Sequence, residues 1–242
     1  MPRLLIAAFL VLAAPAAVVF ALAARDRPAS VHTVAPPPAP TATVAPPAPS
    51  APPTAAPTAP PAPRPGGPSR ALGSPAAGRL VNGRPLPPAG PGFQTYDPIL
   101  RRFPNRRWRR FGTERLLATV EHVLGTYARE HPGAPPVLVG DLSRPRGGDF
   151  GPRFGGIGHA SHQNGLDADV YYPRSDAALR PPRRPAQVDR RAAQALVDAF
   201  VAAGAQFVFV GPSLDLRGPR GVVQPLVHHD NHLHLRIPTA GT

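Results

Sequence analysis

The chain has 242 residues, 38 prolines, no cysteine and a formal charge of +13, and all of its basic residues are arginines. Without cysteine it can form neither a disulfide framework nor a thiolate metal site, so any metal must be held by histidine and carboxylate side chains. The length alone would allow more than one domain, but the abundance of proline argues against that.

The N-terminal segment has the pattern of an export signal. Met1-Pro2-Arg3 precedes an apolar run over residues 4–24, and Ala21-Leu22-Ala23 has the small-x-small form of a signal-peptidase site. The run is also long enough, at about 20 residues, to span a bilayer if it is not cut. We therefore predict a signal peptide over residues 1–24, with an uncleaved membrane anchor as the alternative. Export argues against a cytoplasmic role and against nucleic acid as a partner.

A proline-rich segment follows. Fifteen prolines lie between Pro36 and Pro68, with alanine, threonine and serine in most of the gaps. Such a segment cannot bury a core, so we predict a disordered Pro/Ala-rich linker over residues 25–77 that holds the next domain away from a membrane or wall. The folded domain is predicted over residues 78–242, a length of about 165 residues that suffices for one core.

The apolar pattern within this domain predicts two helices and several short strands. The first helix begins at Thr113 and ends before Pro132, with its apolar side chains on one face. The second runs from about residue 188 to residue 203 and is closed by Gly204. Strands are predicted over residues 136–142, 167–172 and 206–211. Because helices and strands do not strictly alternate, we predict an α+β fold with a small, mainly antiparallel sheet and flanking helices.

The segment from Arg101 to Arg110 is a basic patch, in which six arginines surround Phe103 and Trp108. One interpretation is contact with an anionic polymer. The other is a solvated surface whose aromatic side chains pack into the core. Nucleic acid is the common partner of such a patch, but export argues against it. An acidic cell-wall polymer is therefore the candidate partner.

Two short motifs predict a metal site. In the first, a turn at Gly165 lets the following strand carry Asp169 back toward His162. In the second, His232 and His234 are two positions apart, so both rings lie on one face of a strand. If the two strands are neighbours, His162, Asp169 and His234 form a three-ligand site with one open position, which is the arrangement of catalytic zinc. The alternative is that these are structural histidines with ordinary hydrogen bonds.

The sequence around these motifs resembles the penicillin-insensitive murein endopeptidases, which belong to the LAS group of zinc metallopeptidases with the lysostaphin-type enzymes and D-Ala-D-Ala peptidases. The matching motifs are Val139-Gly140-Asp141, Arg144-Pro145-Arg146-Gly147-Gly148, the segment from Gly158 to Asp169, and His229-x-x-His232-x-His234-x-Arg236. The resemblance covers most of residues 80–238. It implies an α+β fold, zinc, and hydrolysis of peptide bonds in peptidoglycan, notably the D-alanyl cross-link to diaminopimelate.

By this resemblance, the zinc ligands of the family correspond to His162, Asp169 and His234 in this chain. The accompanying active-site histidines match His159, His229 and His232. The chain departs from better-known members because it lacks their cysteines. Residues 173–191 also show no clear counterpart of an accessory metal position, so we expect one Zn²⁺ per chain.

Hydrolysis by activated water needs a base for the water proton and a donor for the developing oxyanion. No glutamate lies near the motifs, and histidine, with a reference pKa of about 6.5, can act as base and then acid near neutrality. We assign His229 as the general base and His232 as the oxyanion stabiliser, although these two roles could be exchanged. His159 is then a further ligand or a substrate contact.

Two more residues lie on the predicted inward faces of the strands. Asp167 either orients a ligand histidine or caps the turn after Gly165. Arg236 either grips a substrate carboxylate or neutralises Asp230.

Three functions remain open at this point. They are a zinc endopeptidase that cleaves peptide cross-links, a zinc D,D-carboxypeptidase that releases terminal D-alanine, and a wall-binding module without turnover. We predict the endopeptidase, with peptidoglycan as its partner, exported to the periplasm or the extracellular envelope. Contact with a membrane is expected only if the N-terminal segment is not cleaved.

Overall fold

The structure is a computed structural model that describes residues 67–151 and 159–239. The signal peptide or anchor predicted at residues 1–24, most of the predicted linker and Gly158 of the first motif lie outside the described residues. Neither helix in the described part of the chain is long and apolar enough to cross a membrane.

Eleven strands and two α-helices lie in the described residues. The strands are β1 (Arg70–Ser74), β2 (Ala77–Val81), β3 (Arg84–Pro85), β4 (Ala89–Gly90), β5 (Phe93–Thr95), β6 (Phe111–Gly112), β7 (Val137–Val139), β8 (Asp167–Tyr171), β9 (Phe207–Val210), β10 (Val223–Pro225) and β11 (His232–Arg236). The helices are α1 (Glu114–Glu130) and α2 (Arg190–Ala202). Short 3-10 helices cover Arg107–Arg109 and Pro185–Gln187.

Seven strands form one mixed sheet in the order β10-β9-β11-β8-β7-β5-β4. The pairs β10–β9 and β7–β5 are parallel, and the other four pairs are antiparallel. Strands β1 and β2 form a separate hairpin, and β3 pairs with β6. The predicted α+β fold with a mainly antiparallel sheet is confirmed.

Both helices begin at side-chain caps. The hydroxyl of Thr113 accepts a hydrogen bond from the backbone N–H of Leu116 at 3.2 Å, and the carboxylate of Asp189 accepts one from Ala192 at 3.0 Å. These contacts satisfy backbone donors that have no partner within the helix. The apolar faces of α1 and α2 share one buried cluster with Val170 of β8 and Leu233 of β11. The helices therefore cover the face of the sheet that carries the apolar residues of β8 and β11.

The β1–β2 hairpin begins within the segment predicted as linker. Its register runs from Arg70 opposite Val81 to Ser74 opposite Ala77, so residues 70–77 are folded and the predicted boundary at residue 78 is wrong. The Ala-, Gly- and Arg-rich composition hides this strand, in which Leu72 is the only large apolar residue. The hairpin also supports the first metal motif, because the backbone N–H of Gln163 donates to the carbonyl of Pro75 at 3.0 Å.

The turn at Gly165 is tied to the start of α1. Gly165 has φ +79°, and its carbonyl accepts hydrogen bonds from both the backbone N–H and the hydroxyl of Thr113, at 3.0 and 3.2 Å. A Cβ at this position would lie 2.8 Å from Cδ1 of Leu80. Glycine is therefore required both for the left-handed backbone and for the close packing, and the turn delivers Asp167 to the start of β8.

Candidate metal centre

The pairing of β8 with β11 brings the two sequence motifs together. The antiparallel register sets His234 opposite Asp169 and Arg236 opposite Asp167. Side chains alternate along a strand, so these four lie on one face while the leucines of β11 enter the core on the other. The face that carries them is opposite to the helices, as the two-residue spacing predicts.

Three buried atoms from His162, Asp169 and His234 form an almost equilateral triangle. Nε2 of His162 lies 3.3 Å from Oδ1 of Asp169 and 3.3 Å from Nδ1 of His234. Nδ1 of His234 lies 3.4 Å from Oδ1 of Asp169. The Asp169 oxygen is buried and has no hydrogen-bond partner within the described residues. A buried carboxylate oxygen without such a partner is costly, so its place between two ring nitrogens needs an explanation.

In each histidine, one ring nitrogen donates a hydrogen bond away from the triangle, and this determines which nitrogen faces its centre. Nδ1–H of His162 donates to the carbonyl of Leu142 at 2.6 Å, and Nε2–H of His234 donates to the carboxylate of Asp167 at 3.1 Å. In the neutral rings the lone pairs of His162 Nε2 and His234 Nδ1 therefore point inward. Backbone or carboxylate acceptors that fix a tautomer in this way commonly accompany metal-bound histidines.

These residues fit a zinc ion. A tetrahedron with metal–ligand bonds of about 2.0–2.1 Å has edges of about 3.3–3.4 Å, and imidazole nitrogen and carboxylate oxygen are ordinary zinc ligands. The separations of 3.3, 3.3 and 3.4 Å match those edges. All three residues also line a cleft, from which a ligand could reach the ion they would hold.

His159 belongs to a second, looser grouping. Ligand atoms of His159, His162 and Asp169 lie within 4.8 Å of one another, and Nδ1 of His159 is 3.8 Å from Oδ2 of Asp169. Nε2–H of His159 donates to Asp141 at 2.9 Å. We prefer the set with His234 because its three separations match tetrahedral edges, whereas His159 is held farther away by Asp141.

Asp167 connects both ligand histidines to Arg236. One carboxylate oxygen accepts from Nε of Arg236 at 2.6 Å and from His234, and the other accepts from the backbone N–H of His162 at 3.0 Å. Burial would raise the pKa of Asp167, but His234 and Arg236 hold it well below its usual range. Arg236 thus pairs with Asp167 and not with Asp230, which instead accepts hydrogen bonds from Ser213.

Asp141 forms a second buried support, which the sequence reasoning missed. Oδ1 accepts from Nε of Arg109 at 2.7 Å and from Nδ2 of Asn105 at 3.0 Å, while Oδ2 accepts from His159. Arg109 and Asp141 are both fully buried. Burial would raise the pKa of Asp141, but the contacts with His159 and Arg109 lower it overall. Asp141 lies two positions after the end of β7 and belongs to the motif Val139-Gly140-Asp141, which is the sequence signal that could have indicated its role.

The surroundings of the three candidate ligands, His162, His234 and Asp169, shift their pKa values in different directions. Burial lowers the pKa of His162. Burial would also lower the pKa of His234, but Asp167 and Asp169 outweigh it and raise that pKa to about 9. For Asp169, burial is outweighed by His162 and His232, so its pKa is well below the usual value. The ionised carboxylates therefore favour a positive charge at this position, as they would favour a bound cation.

His229 and His232 lie next to the triangle, on the side of the cleft. Nδ1–H of His232 donates to the side chain of Asn231 at 2.6 Å, and Nδ1–H of His229 donates to the carbonyl of Val227 at 2.8 Å. The two ring centroids are 4.8 Å apart. Burial lowers the pKa of His229 and lowers that of His232 to about 4. Both rings are consequently neutral near pH 7. Neither Nε2 has a hydrogen-bond donor among the described residues, and that of His232 lies 3.7 Å from Oδ1 of Asp169.

A cleft of about 1030 Å³ opens over these residues. Its walls include Tyr96 and Tyr171 on one side and Phe209, Leu226 and Val227 on the other. Each site residue predicted from the sequence lines the cleft except Asp167, which lies beneath it. The aromatic and apolar walls come from loops and strand ends that carry no motif, which is why the sequence did not indicate them.

The basic segment from Arg101 to Arg110 does not form one continuous surface. Arg109 and Arg110 are buried, and Arg106 pairs with Asp97 at 2.5 Å. Phe103 is 40% exposed, so the second interpretation, in which the aromatic side chains pack into the core, does not hold for this residue. The buried arginines stabilise the site and the fold. Only the exposed part of the segment from Arg101 to Arg110 can contact a polymer.

Comparison with known proteins identifies the family. The model of the family described as penicillin-insensitive murein endopeptidase matches residues 71–205. The chain belongs to this family. The match begins within the β1–β2 hairpin and includes the first metal motif, and it ends before the histidines of β11.

Curated relatives carry the same description. A penicillin-insensitive murein endopeptidase of Haemophilus influenzae is 30% identical over 197 residues, covering 71% of this chain and 64% of the relative. The Yersinia enterocolitica protein of that name is 28% identical over 197 residues, covering 71% of this chain and 66% of the relative. One from Klebsiella pneumoniae is 34% identical over 106 residues, covering 44% of this chain and 34% of the relative. The chain thus spans less than two thirds of the length of each of these relatives.

Proposed function

We propose that the chain is a zinc-dependent peptidoglycan hydrolase that cleaves the D-alanyl to diaminopimelate cross-links of murein. The observation that carries the proposal is the triangle of His162 Nε2, Asp169 Oδ1 and His234 Nδ1, whose sides of 3.3–3.4 Å suit one tetrahedral zinc ion. The names of the relatives support murein as the substrate. A murein substrate lies outside the cytoplasmic membrane, which agrees with the export signal predicted at residues 1–24.

The proposed cofactor is one Zn²⁺ per chain, held by His162, Asp169 and His234. When bound, the ion supplies Lewis-acid activation of a water molecule and of the scissile carbonyl. The carboxylate of Asp167 accepts from Nε2–H of His234, and the carbonyl of Leu142 accepts from Nδ1–H of His162, so the other nitrogen of each ring faces the proposed ion. The contacts with His234, His162 and Arg236 keep Asp167 ionised. The site is therefore pre-organised by hydrogen bonds before a metal binds.

His229 and His232 are the proposed proton-transfer groups. Each presents a free Nε2 acceptor, because Nδ1–H is used in a hydrogen bond. We propose that His229 accepts the proton of the attacking water and returns it to the leaving amine. His232 would stabilise the oxyanion only when its Nε2 carries a proton, and its pKa of about 4 opposes this. An exchange of the two roles is therefore the first alternative to test by mutation.

The proposal is tested with the full-length chain and purified sacculi. Metal content is measured by plasma mass spectrometry, and sacculi are digested with and without chelator. One zinc per chain and chelator-sensitive conversion of dimeric muropeptides to monomers are expected. Release of free D-alanine without loss of dimers would identify a D,D-carboxypeptidase. Absence of both metal and cleavage would leave a wall-binding module.

A further inference from the structure

The cleft beside the metal centre has an unbalanced positive charge. Among the described residues that line it, the acidic groups are Asp141 and Asp169, and both belong to the metal centre and its support. The lining arginines are Arg101, Arg180, Arg183 and Arg236. Asp167 neutralises Arg236, and Asp176 lies 3.9 Å from Arg180. Arg101 and Arg183 have no carboxylate within 4 Å in the described part of the chain, whereas several other arginines do.

Arg101 and Arg183 line the same cleft as Tyr96, although 82 positions separate the two arginines in the sequence (183 − 101). Burial raises the pKa of Tyr96, and the charges of Arg101 and Arg183 both act to lower it. The ring of Tyr96 contacts that of Tyr171 edge to face at 5.7 Å, and Tyr171 in turn lies 5.8 Å from His232. Tyr96 is thus two ring contacts away from His232, which lies beside the metal centre.

The backbone at both arginines is held in place. The carboxylate of Asp97 accepts hydrogen bonds from the backbone of Ile99 and Leu100 at 3.0 and 2.9 Å, and so closes the turn that carries Arg101. Arg101 itself has φ +51°, a region that non-glycine residues rarely adopt. The backbone N–H of Arg183 donates to Gln187 at 2.8 Å. Two ordered loops therefore present their arginines to the same end of the cleft.

We propose that Arg101, Arg183 and Tyr96 form a subsite that binds a free carboxylate of the murein stem peptide. Guanidinium groups donate paired hydrogen bonds to carboxylates, and a tyrosine hydroxyl adds a further donor. A diaminopimelate cross-link keeps free carboxylates next to the peptide bond that is cut, so such a substrate meets these donors when it occupies the cleft. The inference rests on the proposed function for the identity of the peptide.

Binding is measured by calorimetry on the full-length, metal-free chain. The probes are a disaccharide-tetrapeptide with free diaminopimelate carboxylates and the same molecule with those carboxylates amidated. The variants are Arg101→Gln and Arg183→Gln, and the matched control is Arg191→Gln, an exposed arginine at the start of α2. We expect the free form to bind about tenfold more tightly than the amidated form, and each variant, but not the control, to lose that preference.

The zinc-loaded chain provides a second measurement on cross-linked dimers. In the two variants KM should rise about tenfold while kcat is retained, since the arginines hold the substrate at a distance from the reacting atoms. Equal binding of the free and amidated peptides by the unsubstituted chain would overturn the subsite. The same conclusion follows if Arg191→Gln loses as much affinity as the two variants do.

The outcomes separate this proposal from the proposed function. Carboxylate-dependent binding without any hydrolysis would support the subsite and contradict the hydrolase. Hydrolysis without discrimination against amidated peptide would support the hydrolase and contradict the subsite. A glycerol-phosphate oligomer that binds more tightly than the tetrapeptide, and is lost in the same variants, would assign the arginines to an anionic wall polymer and overturn the proposal.

Discussion

Asp167 accepts a hydrogen bond from Nε2–H of His234 at 3.1 Å, and so directs the other ring nitrogen of His234 toward Asp169. The same carboxylate holds the backbone of His162 at 3.0 Å. One buried side chain therefore orients two of the three proposed metal ligands. Its importance can be measured separately from that of the ligands themselves.

Replacement of Asp167 by Asn should weaken metal binding without abolishing it. An amide places a donor where one oxygen now accepts, and it removes the negative charge that the histidines share. We expect the affinity for zinc to fall about 10- to 100-fold, as measured by competition with a chromophoric chelator. Asp198→Asn, on the exposed side of α2, is the matched control and should bind zinc normally. An unchanged affinity in Asp167→Asn would show that the carboxylate has no orienting role.

Replacement of His162 by Ala should remove bound zinc. The site would keep two of three ligands, too few for a stable tetrahedral centre, so plasma mass spectrometry should find metal in far less than stoichiometric amount. His122→Ala removes an exposed histidine of α1 and should retain the metal. Loss of zinc in His159→Ala, with retention in His234→Ala, would favour the looser grouping around His159 over the triangle.

Replacement of Asp141 by Ala should destabilise the fold. Arg109 is fully buried and would lose its carboxylate partner. Removal of one member of a buried ion pair typically costs about 3–5 kcal/mol in the free energy of unfolding, which urea denaturation of the metal-free chain can measure. The exposed pair of Asp215 and Arg217 provides the control, and Arg217→Ala should leave the urea midpoint unchanged. Equal midpoints for the two variants would contradict a structural role for Asp141.

The metal-free chain should lose stability in acid partly through Asp97. Burial raises the pKa of this carboxyl, but its contacts with Arg106 and the backbone lower it below the unfolded value of about 3.9. The ionised form is thus favoured in the folded state. Its contribution is complete above the unfolded pKa and is lost as the pH falls through the folded pKa. Urea unfolding between pH 6 and pH 2.5 should show a shallower decline in Asp97→Asn than in the unsubstituted chain. Parallel declines would exclude Asp97 as a source of the acid sensitivity.

The sequence predicts the site best where the two-residue periodicity of a strand determines the face on which a side chain lies. The alternation along β8 and β11 shows which side chains share a face, and the turn at Gly165 is visible as an Asn-Gly pair directly before the strand pattern. The partnership of Arg109 with Asp141 spans 32 positions and has no local pattern, so the arginine was read as part of a surface patch. The β1–β2 hairpin was missed because its composition continues that of the proline-rich segment. The first case depends on a long-range pairing, and the second on a local hairpin whose residues carry no apolar alternation.

The register between β8 and β11 fixes the positions of the candidate metal ligands on these strands independently of the surrounding loops. Both strands take their relative position from backbone hydrogen bonds, so insertions or deletions in the loops at residues 173–184 and 211–222 leave the carboxylates and imidazoles where they are. One of these loops carries Arg180 and Arg183 into the cleft. Exchange of one loop would therefore change the arginines of the cleft while the proposed metal ligands keep their positions.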